Sequence, residues 1–181
     1  MLITEWGEAL DRSAPLPEYP RPQLVRGSYL NLNGPWEYAF TADMKKPEEY
    51  AGEIVVPFSP ESPLSGVGRT LRAGESLWYR RRFTLPEGFN IGRVLLHFGA
   101  VDQSARVWVN GHDAVAHTGG YLPFSADITE LLEDGENTLL VRCADDTDES
   151  WHTRGKQKTK KGGIWYTPLS GIWQTVWCES V

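Results

Sequence analysis

The sequence lacks most of the features that mark redox, metal-binding, secreted or membrane proteins. Only two of its 181 residues are cysteines, and Cys143 and Cys178 do not have the close pairing of zinc ligands. No apolar run reaches the ~18 residues of a membrane helix, and the acidic N-terminus has no basic segment typical of a signal peptide. We therefore expect two buried thiols in a reducing, cytoplasmic setting, with no metal, no cofactor and no membrane partner.

A basic surface is also absent. The formal net charge is -6 and the pI is near 5.2, which argues against nucleic acid as a partner because phosphate binding needs a positive surface. Aromatic residues are abundant instead, with 8 Trp, 7 Tyr and 6 Phe. Such side chains fill cores and also stack on the apolar faces of sugar rings, so each Trp has both a packing and a binding interpretation.

Long helical periodicity is missing, and period-2 alternation takes its place. The clearest case lies in residues 104–124, where Ala105, Val107 and Val109 alternate with Arg, Trp and Asn, as in a strand with one buried face. Asn110-Gly111 follows at once, and both residues tolerate the positive φ of a tight turn. We therefore expect a β-hairpin with a two-residue loop.

Similar short runs recur along the chain and indicate seven to nine strands without a long helix, which is typical of an antiparallel sandwich or barrel. The main predicted strands cover residues 36–40, 53–57, 76–85, 93–98, 104–109, 114–116, 136–144 and 171–179. Their inward positions predict a core that contains Trp36, Tyr38, Val94, Leu96, Phe98, Val107, Val109, Leu139 and Val141.

Three segments read as irregular. Residues 1–27 are rich in proline and are expected to form an extended arm packed on the domain. Residues 57–66 hold three prolines in a structured loop, and residues 145–168 form a long polar loop. The long loop is either a mobile, solvated segment or a functional one. We expect residues 150–163 to be the most mobile internal segment of the domain when it stands alone, because they have little apolar area to bury.

Eight motifs of the chain occur in the order found in one enzyme family. They are LNGPWEYAF, VPFSPESPLSG, LWYRRRF, VLLHFGAVDQSARVWVNG, HTGGYLPFSADIT, ENTLLVRC, RGKQ and SGIWQTVW. On these motifs the sequence resembles the N-terminal sugar-binding domain of glycoside hydrolase family 2, the group of β-galactosidases, β-glucuronidases and β-mannosidases. This resemblance implies a galactose-binding-domain-like, antiparallel two-sheet jelly-roll β-sandwich over residues 28–181.

The resemblance also implies where chemistry would lie. In this family an immunoglobulin-like domain and a (β/α)₈ barrel follow, and the barrel carries the two catalytic glutamates. A barrel of ~250 residues does not fit in this chain, so we expect no catalytic residue here and interpret the chain as the N-terminal part of a longer enzyme. Loops of this domain help to bind the sugar in the family, which implies substrate-binding roles for Ser59, Glu61, Arg154, Lys156, Gln157, Trp165 and Tyr166.

One departure from the family pattern bears on the substrate. Some β-galactosidases place an aspartate a few residues before the S-G-I motif, where it contacts sugar hydroxyls. This chain has Trp165-Tyr166-Thr167-Pro168-Leu169 there and no acid. The identity of the sugar therefore stays open.

Three functional interpretations remain at this point. The chain is a non-catalytic sugar-binding domain of a family 2 β-glycosidase, whose partners are a β-glycoside and the downstream domains. Alternatively it is a free-standing carbohydrate-binding module of the same fold, or a structural jelly roll that does not contact sugar.

Overall fold

The computed structural model describes residues 3–181, which form a sandwich of antiparallel sheets. Its helical content is limited to α1 (Glu5–Glu8) and to single 3-10 turns at Pro22–Leu24, Pro63–Ser65 and Thr129–Leu131. The strands are β1 (Tyr29–Asn31), β2 (Gly34–Thr41), β3 (Gly52–Val56), β4 (Ser76–Thr84), β5 (Val94–Phe98), β6 (Val101–Asp102), β7 (Ser104–Val109), β8 (His112–Thr118), β9 (Phe124–Asp127), β10 (Glu136–Ala144), β11 (Gly171–Ile172) and β12 (Val176–Ser180).

Two sheets face each other and a short third pair closes one end. The larger sheet has the order β3-β2-β4-β10-β7-β8, the smaller one β1-β12-β5-β9, and β6 pairs with β11. The paired strands are antiparallel in all three. The predicted all-β, antiparallel, two-sheet jelly-roll fold is therefore confirmed.

The core lies between the two sheets and follows the predicted alternation. Eight of the nine residues expected inside are buried, while Tyr38 is half-buried at the margin of the core. Tyr38 lies opposite Gly52, the first residue of the edge strand β3. Because a glycine has no side chain with which to cover the ring, Tyr38 packs edge-on against Phe40 instead, at 5.8 Å between ring centroids.

The predicted hairpin is present between β7 and β8. Val109 pairs with His112, so the loop consists of Asn110 and Gly111 alone. Their φ angles are +50° and +83°, the left-handed values of a tight hairpin turn. The sequence signal and the backbone geometry therefore agree at this position.

Three short strands and one break were not predicted. β1, β6 and β9 have two to four residues each. The strand expected over residues 171–179 is in fact two strands, because residues 173–175 leave the extended path and let β11 and β12 join different sheets. Strands this short are defined by their partners in space, which a local pattern does not show.

The N-terminal segment is anchored to the smaller sheet by polar contacts. Glu179 is buried, and it binds the Tyr19 hydroxyl and the Arg21 guanidinium of this segment. The backbone oxygens of Pro15 and Leu16 accept hydrogen bonds from Asn33 and Asn31, at 3.2 and 2.8 Å. Residues 1 and 2 of the predicted arm lie outside the described range.

Both cysteines are buried free thiols, as predicted. Burial raises the pKa of Cys143 and of Cys178 above the ordinary thiol range, so both are inert as nucleophiles. Among residues 3–181, no helix has the length and hydropathy needed to cross a membrane.

Candidate functional site

Polar side chains gather where the β7–β10 ladder meets β6 and β11. Ser104 pairs with Ala144 at this end of the ladder, and Gly171 pairs with Asp102 next to it. Ser170 connects the surrounding loops, because its N–H donates to Glu61 Oε2 at 3.1 Å and its hydroxyl donates to Asp145 Oδ2 at 3.0 Å. We call this end of the molecule, built from Glu61, Asp102, Asp145 and Ser170, the Ser170 end.

Glu61 ties the proline-rich loop to two other segments. Its Oε1 accepts the N–H of Leu71 at 3.2 Å while its Oε2 accepts the N–H of Ser170. Burial raises the pKa of Glu61, although these hydrogen bonds to the carboxylate work in the opposite direction. Both carboxylate oxygens are thus engaged by backbone donors, so Glu61 positions the loops around the site.

Asp145 is a second buried carboxylate at the same end. Its Oδ1 accepts the N–H of Thr147 at 2.7 Å, and its Oδ2 accepts the Ser170 hydroxyl. Burial raises its pKa. Asp145 therefore fixes the first residues of the long loop against the segment that leads into β11.

Asp102 is the most perturbed carboxylate. It is 5% exposed, and burial, together with the negative charges of Asp145 and Glu61, raises its pKa to about 7. Gly120 passes so close that an added Cβ would lie 2.2 Å from Asp102 Oδ1. Only glycine fits at this approach, so the chain at residue 120 closes over the carboxylate.

The long loop makes several hydrogen bonds within itself. Asp148 accepts hydrogen bonds from the N–H and the hydroxyl of Thr159, both at 2.9 Å. Tyr166 exchanges backbone hydrogen bonds with Lys156 and Lys158, at 2.8 and 3.1 Å. The loop thus folds back on itself and holds its second half beside the Ser170 end.

Gln157 connects this loop to the neighbouring one. Its side-chain oxygen accepts the N–H of Leu169 at 2.5 Å and its amide donates to the Tyr121 hydroxyl at 3.4 Å. Tyr121 in turn lies edge-on to Trp173, whose indole N–H donates to the Gly120 carbonyl at 2.8 Å. The aromatic side chains of two loops are therefore held together.

The remaining predicted site residues differ in accessibility. Trp165 is half-buried under the ammonium of Lys158, which lies 4.3 Å from its ring centroid, whereas Tyr166 is 66% exposed. Lys156 is exposed, and Arg154 donates to the Ser150 carbonyl at 3.5 Å. Ser59 is buried, with no hydrogen-bond partner for its hydroxyl among the described residues.

The fold thus brings Glu61, Gln157, Trp165 and Tyr166 to one end of the sandwich, while Ser59 lies beneath that surface. Sequence reasoning missed Asp102, Asp145 and Ser170, which organise the site. Ser170 stands in the SGIWQTVW motif, so the motif itself marked it. The acidic run at residues 145–149 has the composition of a solvated loop and gave no sign that Asp145 is buried.

The Ser170 end is an open surface. A cleft of about 630 Å³ lies elsewhere, lined by residues 26–29, 86–89, 91 and 180. Across residues 3–181, His, Cys, Asp and Glu side chains do not form a cluster of three or more that is arranged to hold a metal ion. What the Ser170 end offers a ligand is one wall of aromatic rings, an amide and cations.

The chain is similar in sequence to several glycosidases. It is 28% identical over 131 residues to a β-glucuronidase of Paenibacillus borealis, covering 68% of this chain and 22% of that protein. It is 35% identical over 103 residues to a β-galactosidase of Thermoanaerobacter pseudethanolicus, covering 56% and 13%. The human β-glucuronidase gives 36% over 103 residues, covering 55% and 14%. The chain therefore spans less than a quarter of the length of each relative.

Solved structures show the same fold. A β-glucuronidase of an uncultured Clostridium sp. matches with a TM-score of 0.62 and 25% identity, covering 86% of this chain and 29% of that one. A Ruminococcus gnavus β-glucuronidase in complex with uronic deoxynojirimycin matches with a TM-score of 0.65 and 22% identity, covering 88% and 30%. The family model described as "Glycosyl hydrolases family 2, sugar binding domain" matches residues 68–178. The chain therefore belongs to glycoside hydrolase family 2 and carries its sugar-binding domain.

Proposed function

We propose that this chain supplies one wall of the sugar site of a family 2 β-glycosidase, with the Ser170 end directed at the mouth of the catalytic barrel. The observation that carries the proposal is the placement of Gln157, Trp165 and Tyr166. These side chains project from a loop that buried carboxylates anchor to the sandwich. Binding residues on a loop held by a rigid sheet are typical of sugar-binding domains.

The chain by itself binds and orients, and it does not hydrolyse. Retaining hydrolysis needs an acid and a nucleophile about 5 Å apart on either side of the glycosidic bond. At the Ser170 end, Glu61 and Asp145 are occupied by hydrogen bonds from the chain, and Gly120 closes over Asp102. Turnover of a β-glycoside therefore depends on the barrel that the family carries downstream.

Weak binding by the isolated chain follows from the same geometry. A tight sugar site is concave and closed on several sides, whereas the Ser170 end offers one wall. We expect a dissociation constant of about 1 mM or weaker for galactose, glucuronate or mannose. Micromolar binding of any of them to the 181-residue chain would favour a free-standing carbohydrate-binding module.

The experiment that tests the role compares two tryptophans in a polypeptide where this chain precedes a family 2 barrel. We expect Trp165→Ala to raise KM for a nitrophenyl glycoside about 5- to 10-fold, because an aromatic contact of roughly 1 kcal/mol is lost. Trp6 is exposed on the N-terminal segment, so Trp6→Ala serves as the matched control and should leave KM unchanged. Equal, unchanged kinetics in both variants would contradict sugar contact and favour a structural role.

A further inference from the structure

The outer face of the larger sheet carries a pair of stacked tryptophans that the Ser170 end does not use. Leu139 and Val141 point into the core from β10, so Leu140 between them points outward. Leu140 pairs with Trp108 on β7, and the next outward residue of β10, Arg142, pairs with Trp78 on β4. Three adjacent strands therefore present aromatic, aliphatic and cationic side chains on one exposed surface.

Part of this surface forms a cleft of about 270 Å³, which is lined by Lys46, Trp78, Trp108, Gly111 and Leu140. The two indole rings stack with centroids 5.6 Å apart and planes 20° apart. Trp78 is almost fully buried and its indole N–H donates to the Thr41 hydroxyl at 3.1 Å. Trp108 stays partly exposed. The buried Trp78 ring thus supports the partly exposed Trp108 ring, over which the Arg106 guanidinium carbon also lies, 5.4 Å from the ring centroid. These contacts hold Trp108 in place, so it has little entropy left to lose on binding.

The charge around the platform is positive and partly uncompensated. Arg80 pairs with Glu37 at 2.6 Å, and Arg106 pairs with Asp113 at 2.7 Å. The ion pairs of residues 3–181 do not include Lys46 or Arg142. The Arg142 Nε is buried without a hydrogen-bond partner. Two cations therefore lack a counter-charge here, Lys46 in the lining of the cleft and Arg142 beside Trp78 outside that lining, in a chain whose net charge is -6.

We propose that this cleft, the Trp108 cleft, binds an acidic saccharide that contains uronic acid units. The apolar C–H face of a pyranose ring stacks on Trp108 beside Leu140, and the carboxylate binds Lys46, while Arg142 next to the cleft adds to its positive charge. A carboxylate supplies the acceptors that an unpaired guanidinium and ammonium need. Aromatic stacking combined with charge complementarity favours a uronate over a neutral sugar, which would leave both cations without a partner.

The proposal is independent of the Ser170 end, since no residue that lines the Trp108 cleft belongs to that site. It places a second glycan-binding surface on the same domain. A surface of this kind would hold a polymeric acidic glycan by one segment, and linked sites of modest affinity then act together through effective concentration.

The test is an NMR titration of the 181-residue chain with trigalacturonate, followed through the indole N–H resonances. The matched ligand control is the methyl ester of the same trisaccharide, which keeps the rings and removes the charge. We expect the Trp108 indole resonance to shift with trigalacturonate, with a dissociation constant of about 1 mM that weakens as salt is added. The ester should bind at least about 5-fold more weakly.

Two exposed lysines give the matched protein variants. Lys46→Glu should weaken trigalacturonate binding at least about 5-fold, because it reverses a charge at the cleft. Lys161→Glu makes the same change on an exposed residue of the long loop and should leave the Trp108 shift unchanged. Both lysines are exposed, so neither lysine substitution disturbs the core. A third variant, Trp108→Phe, tests the stacking role of the indole without opening a cavity at the sheet.

Several results would overturn the proposal. One is a Trp108 resonance that does not move, and another is an equal response to the acid and to its ester. A third is a titration in which the shifts are confined to residues 150–170, since the saccharide would then bind the Ser170 end alone. Concentration-dependent self-association that involves Trp108 without ligand would assign the cleft to a second copy of the chain.

Discussion

Buried polar groups lie at both ends of the β7–β10 ladder, but they are neutral amides at one end and carboxylates at the other. At the hairpin end, Asn110 bonds the Leu131 carbonyl at 2.9 Å and Asn137 at 2.7 Å. Asn137 is 1% exposed, and its amide also bonds the backbone of Glu133 and Gly135. This end is held by neutral amides whose donors and acceptors are matched, so its stability does not depend on pH.

The Ser170 end is closed by carboxylates. Burial raises the pKa of Glu61, Asp102 and Asp145, and the negative charges of Asp145 and Glu61 raise that of Asp102 further. Removing carboxylates from water costs free energy that neutral amides do not cost. Buried polar groups thus close the sandwich at both ends, but only the Ser170 end uses groups that can carry a charge.

The difference indicates which end is shaped by something other than folding. If selection acted on stability alone, we would expect neutral amides at both ends, because buried carboxylates with raised pKa values lower stability near neutral pH. Such groups cluster at functional sites more than elsewhere in proteins. The comparison is therefore consistent with the sugar-binding role that we propose for the Ser170 end.

The largest expected effect is on the hairpin end. Asn137→Ala removes a buried side chain whose amide makes four hydrogen bonds, one to the Asn110 amide and three to the backbone of Glu133 and Gly135. We expect a loss of about 3 kcal/mol in the free energy of unfolding by urea. Asn90 is exposed, and Asn90→Ala should change it by less than about 0.5 kcal/mol. A small effect at Asn137 would erase the contrast between the two ends.

At the Ser170 end we expect a substitution to raise the free energy of unfolding rather than lower it. Asp102→Asn keeps the shape of the side chain and removes its charge, so we expect the free energy of unfolding at pH 8 to rise by about 2 kcal/mol. The other ionisable groups that face Asp102 are Asp145, Glu61 and the neutral thiol of Cys143. A variant less stable than the parent chain at pH 8 would show that the Asp102 carboxylate is a stabilising group.

The pH dependence gives the sign of that effect. The folded pKa of Asp102, about 7, lies above its ordinary value of 3.8, so between these pH values the folded state keeps a proton that the unfolded state has released. The contribution of Asp102 to stability is therefore fully present below pH 3.8 and is lost as the pH rises through 7. In urea unfolding followed from pH 4 to pH 8, the advantage of Asp102→Asn should disappear at pH 4.

The smallest effect concerns the turn that closes the hairpin end. An added Cβ at Gly111 would meet nothing within 4 Å, yet its φ is +83°, which a β-branched residue strongly resists. Gly111→Val should therefore lower the melting temperature through backbone strain alone, by a free energy of about 1 kcal/mol or more. Gly27 also has open space but no positive φ, so Gly27→Val is the control. Equal melting temperatures would contradict the turn assignment.

Features that depend on local sequence could be predicted, and features that depend on contacts between distant residues could not. The sheets were predictable because strand alternation is local, and Asn110-Gly111 was predictable because few residues accept its backbone angles. The two-residue strand β6 and the break between β11 and β12 were not, since both depend on partners in other parts of the chain. The burial of Asp102 and Asp145 was invisible as well, because it depends on Gly120 and Ser170, which are distant in sequence.

The candidate site shows this limit most clearly. The family motifs indicated the loops that carry Glu61, Gln157 and Trp165, since those motifs are read residue by residue. The roles within the loops depend on contacts across the fold, such as the two backbone N–H groups that bind Glu61. A sequence therefore identifies the segments that form such a site more readily than it identifies the role of each side chain.

The most direct test of this account is a pH titration of the Asp102 carboxyl carbon by NMR in the 181-residue chain. The contrast between the two ends depends on a buried carboxylate that keeps its proton far above its ordinary pKa. The account predicts a midpoint near the pKa of about 7 that burial and its acidic neighbours impose. A midpoint at the ordinary value of 3.8 would contradict it, because ionising Asp102 at the Ser170 end would then cost no extra free energy in the folded state.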